Sequence, residues 1–86
     1  MYQQVLKDEG KYWEIVSDTL REVFQASNDR MDDLRATVQR LPEEDRVLFY
    51  HAEPLDVAAD LAGVTEILPN QLEIYDRILR DFQWAP

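Results

Sequence analysis

Cysteine is absent from this 86-residue chain. Its absence excludes disulfides, thiolate metal ligands and a cysteine nucleophile, and it suits the cytosol. Glycine is nearly as scarce: Gly10 and Gly63 are the only two, too few for a glycine-rich loop that wraps phosphate with backbone amides. Histidine occurs once, as His51, so no His-x-x-x-His or Glu-x-x-His pair exists from which a zinc site could be built. No apolar run approaches the ~18 residues of a membrane span, and "MYQQVLKDEG" lacks the charged-then-apolar layout of a signal peptide. The expectation is a soluble, unprocessed, cytoplasmic chain with no membrane role and no cofactor.

Positive charge is also in short supply. Nine Lys and Arg stand against eighteen Asp and Glu, a formal net charge of −9. Phosphate backbones and anionic lipid repel such a chain, so no nucleic-acid partner is expected. The deficit is concentrated: residues 51–76 hold Glu53, Asp56, Asp60, Glu66, Glu73 and Asp76 with no Lys or Arg. An acidic solvated face that keeps a small domain soluble accounts for most of this pattern.

What is plentiful is hydrophobic content, at 45% of residues, enough for one core in one domain spanning 1–86. Its periodicity is helical. Tyr2, Val5, Leu6, Trp13, Val16, Leu20, Val23 and Phe24 recur mostly at steps of three and four, with Gly10 a point at which the run can divide. A second helix is predicted from about Asn28, with Ser27 or Asn28 as its cap and Met31, Leu34, Val38 and Leu41 as its stripe. "LPEEDRVLFYHAEP" is bounded by Pro42 and Pro54, which frames a third helix near 42–52. "PLDVAADLAG" follows as a fourth segment, ending where Gly63 can turn left-handed. A last helix is predicted from Pro69 or Asn70 to Phe82, with Leu72, Tyr75, Ile78, Leu79 and Phe82 facing inward. No alternating strand pattern, repeat or low-complexity tract is present.

Within "AADLAGVT", Ala59, Gly63 and Val64 resemble a helix-turn-helix: a small residue in the first helix, glycine in the turn, an aliphatic directly after it. "LPEEDRVLF" resembles the helix that precedes this motif in sigma-factor region 4. The resemblance covers about 30 residues and implies DNA reading by the second helix. Two features oppose that function. Pro69 falls where the motif wants an aliphatic inside the recognition helix. Between Thr65 and Asp76 the chain offers Asn70 and Gln71 but no cation for phosphates or base edges.

Catalytic patterns are thin. His51 lies three and four residues beyond Leu48 and Val47, a position that reads as structural; joined to Glu53 and Asp56 or Asp60 it would make an oxygen-rich metal site short of the usual ligand motifs. There is no G-x-S-x-G elbow, and nothing orders His51 against Ser17 or Ser27. Asp56 and Asp60, one turn apart, form a carboxylate pair that lacks an evident cleft.

The aromatics carry the remaining signal. Packing the first helix on the last would gather Tyr2, Tyr12, Trp13, Tyr75, Phe82 and Trp84, six of the nine aromatic residues. Phe49 and Tyr50, adjacent on one helix, are expected to point in different directions, and Trp84 either folds back or reaches a partner. The reading is a compact all-α bundle of four to five short helices, with a helix-turn-helix-like arrangement in its C-terminal half. Its expected role is an acidic, non-enzymatic protein-interaction module whose partner is a basic protein surface or a second copy in a homodimer. The expected surface is Phe49, Tyr50, Glu53, Asp56, Asp60 and Trp84. The alternatives are a transcription-related helix-turn-helix protein and a small carboxylate-metal or acid–base enzyme.

Overall fold

Tyr12, Trp13, Ile15, Val16, Thr19 and Leu20 are all buried on a single helix, more than a one-sided stripe supplies. That helix is the hub of the bundle. The computed structural model describes residues 8–84, and the regular elements among them are five helices: α1 (Glu9–Glu22), α2 (Asp29–Gln39), α3 (Glu43–Phe49), α4 (Pro54–Ala62) and α5 (Pro69–Asp81). One flank of α1 carries Tyr12, Trp13, Val16 and Leu20 into a cluster with Met31, Val38, Tyr50, Val57 and Ala58. The other carries Ile15 into a second cluster with Val23, Leu55, Tyr75 and Ile78. Phe24 and Trp84 touch both.

Helix α4 packs most closely on α1, with α5 next. Small residues allow this: Ala58 and Ala59 are buried, and without long side chains there the two backbones can approach. Thr19, the one polar residue in the core among those described, is satisfied by donating from Oγ1 to the Ile15 carbonyl at 2.7 Å.

Local chemistry sets the helix ends. Pro54 and Pro69 occupy the first turns of α4 and α5, where an amide has no intrahelical partner to lose. Gly63 closes α4 in the left-handed region at φ 72°, and Val64 N donates back to Ala59 O at 2.9 Å. Arg30 of α2 donates to the Leu61 carbonyl at 3.2 Å, bringing a cation to the negative end of α4. After α5 the same closure recurs without glycine: Gln83 takes φ 53°, and Trp84 N bonds Leu79 O at 2.9 Å. That turn folds Trp84 back onto the bundle.

Several boundaries depart from the sequence-based expectation. Helix α1 runs through Gly10 from Glu9, while Tyr2, Val5 and Leu6 lie outside the described residues. Helix α3 ends at Phe49, so His51 falls in the following turn; it is exposed, and Val47 is buried while Leu48 is not, so the three share no face. Neither Ser27 nor Asn28 caps α2 with its side chain; the Asn28 amide instead donates to Ser17 Oγ at 2.8 Å, tying α2 to α1. Leu41 lies past the end of α2 and is exposed.

The C-terminal pair also differs from the resemblance. Six residues, 63–68, separate α4 from α5, against about three or four in a helix-turn-helix. Both helices pack on α1 more closely than on each other. Pro69 consequently starts α5 rather than interrupting it.

Candidate functional site

The segment joining α3 to α4 is held by rings from other helices. Tyr12 donates from its hydroxyl to the Ala52 carbonyl at 2.9 Å, and Trp13 Nε1 donates to the Tyr50 hydroxyl at 3.0 Å. Phe49 stacks on Trp13, with centroids 5.7 Å apart and planes inclined by 20°. Tyr50 meets Tyr12 edge-on at 4.9 Å. Trp84 closes the group from the C-terminus, 6.0 Å from Tyr12. Such offset and edge-to-face pairs add to the burial of the rings themselves.

This geometry corrects the expected directions of Phe49 and Tyr50. Phe49 and Tyr50 do not diverge: Tyr50 is core and Phe49 packs on the same cluster. The roughly 100° between adjacent helical residues is bridged because Tyr12 and Trp13 present a surface wide enough to meet both rings. The expected gathering of six aromatics is also divided: Tyr2 lies outside the described residues, Tyr12 and Trp13 lie in the first cluster, Tyr75 and Phe82 lie in the second, and Trp84 touches both. Both rings are thus engaged in the bundle's own packing.

Glu53, Asp56 and Asp60 are exposed, as are Glu66, Glu73 and Asp76. None of the six joins an ion pair among the described residues, whose two pairs are Arg21–Asp18 at 2.7 Å and Arg46–Glu9 at 3.8 Å. Glu53 has a structural attachment as well: Tyr75 donates to its carboxylate at 2.6 Å. Burial, reinforced by that carboxylate, pushes the Tyr75 phenol well above its ordinary pKa; burial also pushes Tyr12 well up and raises Tyr50 against the opposing Trp13 hydrogen bond. His51 is exposed, and among the described residues no three His, Asp or Glu side chains converge as a metal site.

The apolar residues left in solvent are the feature that sequence reasoning missed. Leu48 is 69% exposed, Leu68 50% and Leu72 44%. Leu48 belongs to α3, and a single exposed leucine is ordinary on any surface. Leu68 and Leu72 are one turn apart at the start of α5, linked by the Leu72 N to Leu68 O bond of 3.1 Å. Their spacing continues the stripe Tyr75, Leu79 and Phe82 at steps of three and four, but the sites toward the helix start are not covered. A signal was present in that the stripe begins before Pro69, earlier than the helix. A shallow open depression lined by Glu73, Asp76, Leu79 and Arg80 lies one to two turns further along α5.

No helix among the described residues is long and apolar enough to cross a membrane. Compared with protein-family models, curated proteins and solved structures, the chain matches none of them.

Proposed function

We propose that this chain is an acidic, non-enzymatic protein-interaction module whose partner carries a basic surface. The observation that supports the reading is the surface of α4 and α5, where the adjacent exposed leucines Leu68 and Leu72 lie in a segment with six exposed carboxylates and no cation until Arg77. Apolar anchors supply burial on association, while a charged rim orients the partner and speeds encounter. The shape supports a binding role over a catalytic one. The depression on α5 is open rather than enclosed, and a reaction centre needs a cleft that surrounds its substrate. DNA reading is disfavoured by the same charge: Glu66, Glu73 and Asp76 occupy the region where a recognition helix needs cations.

Affinity capture from native lysate, combined with size measurement over a concentration series, tests the reading. The expected result is a recovered partner with a basic contact surface, held more weakly as salt rises. A strict monomer that recovers nothing beyond a mock resin would overturn it.

A further inference from the structure

Resting on that reading, we infer that the occupant of the Leu68–Leu72 face is a basic amphipathic helix of another protein, laid along α5. The apolar line has helical pitch. Leu68, Leu72 and Leu79 sit at steps of one and two turns on one flank of α5, with Leu68 and Leu72 exposed and Leu79 half-buried beside the open depression. Eleven residues at helical rise span about 16 Å, the length of roughly three turns of a partner helix. A segment presenting apolar residues at i, i+3, i+4 and i+7 matches that line.

Charge chooses among occupants. Glu66, Glu73 and Asp76 flank the leucines, all exposed, and Arg80 at the far end is the cation lining the depression beside them. A second copy docked through the same face by a two-fold axis would bring at most Arg77 and Arg80 of each α5 toward the other's acids, fewer cations than a Lys- and Arg-rich helix supplies. An acidic or neutral helix would gain only the apolar contact. Lys and Arg flanking a leucine stripe meet the carboxylates and also lay their aliphatic stems across the exposed leucine edges. The described residues present no strand edge, so backbone pairing with an extended peptide has no template here.

The test uses a Lys/Leu/Ala peptide about 14 residues long with leucines at i, i+3, i+4 and i+7, beside a scrambled peptide of the same composition. Both are titrated into the whole chain and into its Leu72→Ser, Leu68→Ser and Leu48→Ser variants, with each variant's fold checked by circular dichroism. The patterned peptide is expected to bind saturably, the scrambled one at least about ten-fold more weakly. Leu72→Ser and Leu68→Ser should each weaken the patterned peptide several-fold, and Leu48→Ser, off this face, should leave it unchanged. Equal binding of the two peptides, or an unaltered affinity in Leu72→Ser, overturns the inference by reducing the attraction to bulk charge. A concentration-dependent dimer abolished by Leu72→Ser also overturns it, since the face would then serve a second copy. If lysate capture succeeds while the peptides fail to discriminate, the interaction role stands and only this occupant is wrong; if both fail, both are wrong.

Discussion

The Tyr75 hydroxyl donates to Glu53 at 2.6 Å while accepting from the Leu55 amide at 3.3 Å, so one phenol on α5 fastens the start of α4. Glu53 thereby belongs as much to the architecture as to the acidic surface. Tyr75→Phe leaves the Leu55 amide without a partner in a buried setting, and the expected loss is ~1–3 kcal/mol. Glu53→Gln keeps an accepting oxygen and should cost less. Urea melts of both variants provide the check; a Tyr75→Phe protein as stable as the parent would show that the bond contributes nothing.

Alkaline pH should unfold the domain with its tyrosines. Tyr12, Tyr50 and Tyr75 are each raised above the ordinary phenol range, chiefly by burial, so the folded state favours their protonated forms. Their contribution is intact below the unfolded value of about 10 and is lost as pH climbs above it, because the unfolded chain then releases protons that the folded chain holds. In a Tyr2→Phe background, phenolate absorbance and loss of helical ellipticity should rise together. Full ionisation of the three rings on an intact helical fold would contradict this.

Neighbouring residues on α3 should behave oppositely. Phe49 stacks on Trp13, whereas Leu48 is mostly in solvent. Phe49→Ala is expected to cost ~2–3 kcal/mol, somewhat below a fully buried ring, and Leu48→Ala to stay within ~0.5 kcal/mol. Thermal or urea denaturation separates the two; comparable losses would place Leu48 in the packing.

Two left-handed positions give variants of opposite sign. At Gly63 an added Cβ meets no atom within 4 Å, so the penalty for a side chain comes from the backbone at φ 72° alone. Gly63→Val should lose at least ~1 kcal/mol, and Gly63→Asn less. At Gln83, φ 53° is already held by a side-chain-bearing residue, and Gln83→Gly should gain ~0.5–1 kcal/mol despite the freer unfolded chain. Equal urea midpoints for Gly63→Val and Gly63→Asn would remove the strain explanation.

The parts of this fold legible in sequence are those decided within one helical turn. Pro54, Pro69 and Gly63 impose their dihedral preferences on their own neighbourhoods, and the ends of α4 and start of α5 follow. Phe49 and Tyr50 were not legible because their common direction depends on the breadth of the Tyr12–Trp13 surface, which another helix supplies. The cap of α2 failed for a similar reason: Asn28 spends its amide on Ser17, eleven positions earlier. Periodicity assigned Leu72 to the inner side of α5, yet it carries no information on how far the helices beneath extend, and Leu72 lies past their cover. The carboxylates of the candidate surface were readable from composition; its leucines required the packing.

The most direct measurement is the association rate of the captured partner across ionic strength, for the parent chain and for a variant carrying Glu66→Gln, Glu73→Gln and Asp76→Asn. Those three acids flank the exposed leucines without joining any ion pair among the described residues, so neutralising them should leave the fold intact. The expected result is a parent rate that falls roughly ten-fold between low and physiological salt, and a variant rate that is slow throughout with little salt dependence. Equal rates for the two proteins, indifferent to salt, would contradict an acidic surface on α5 as the working face.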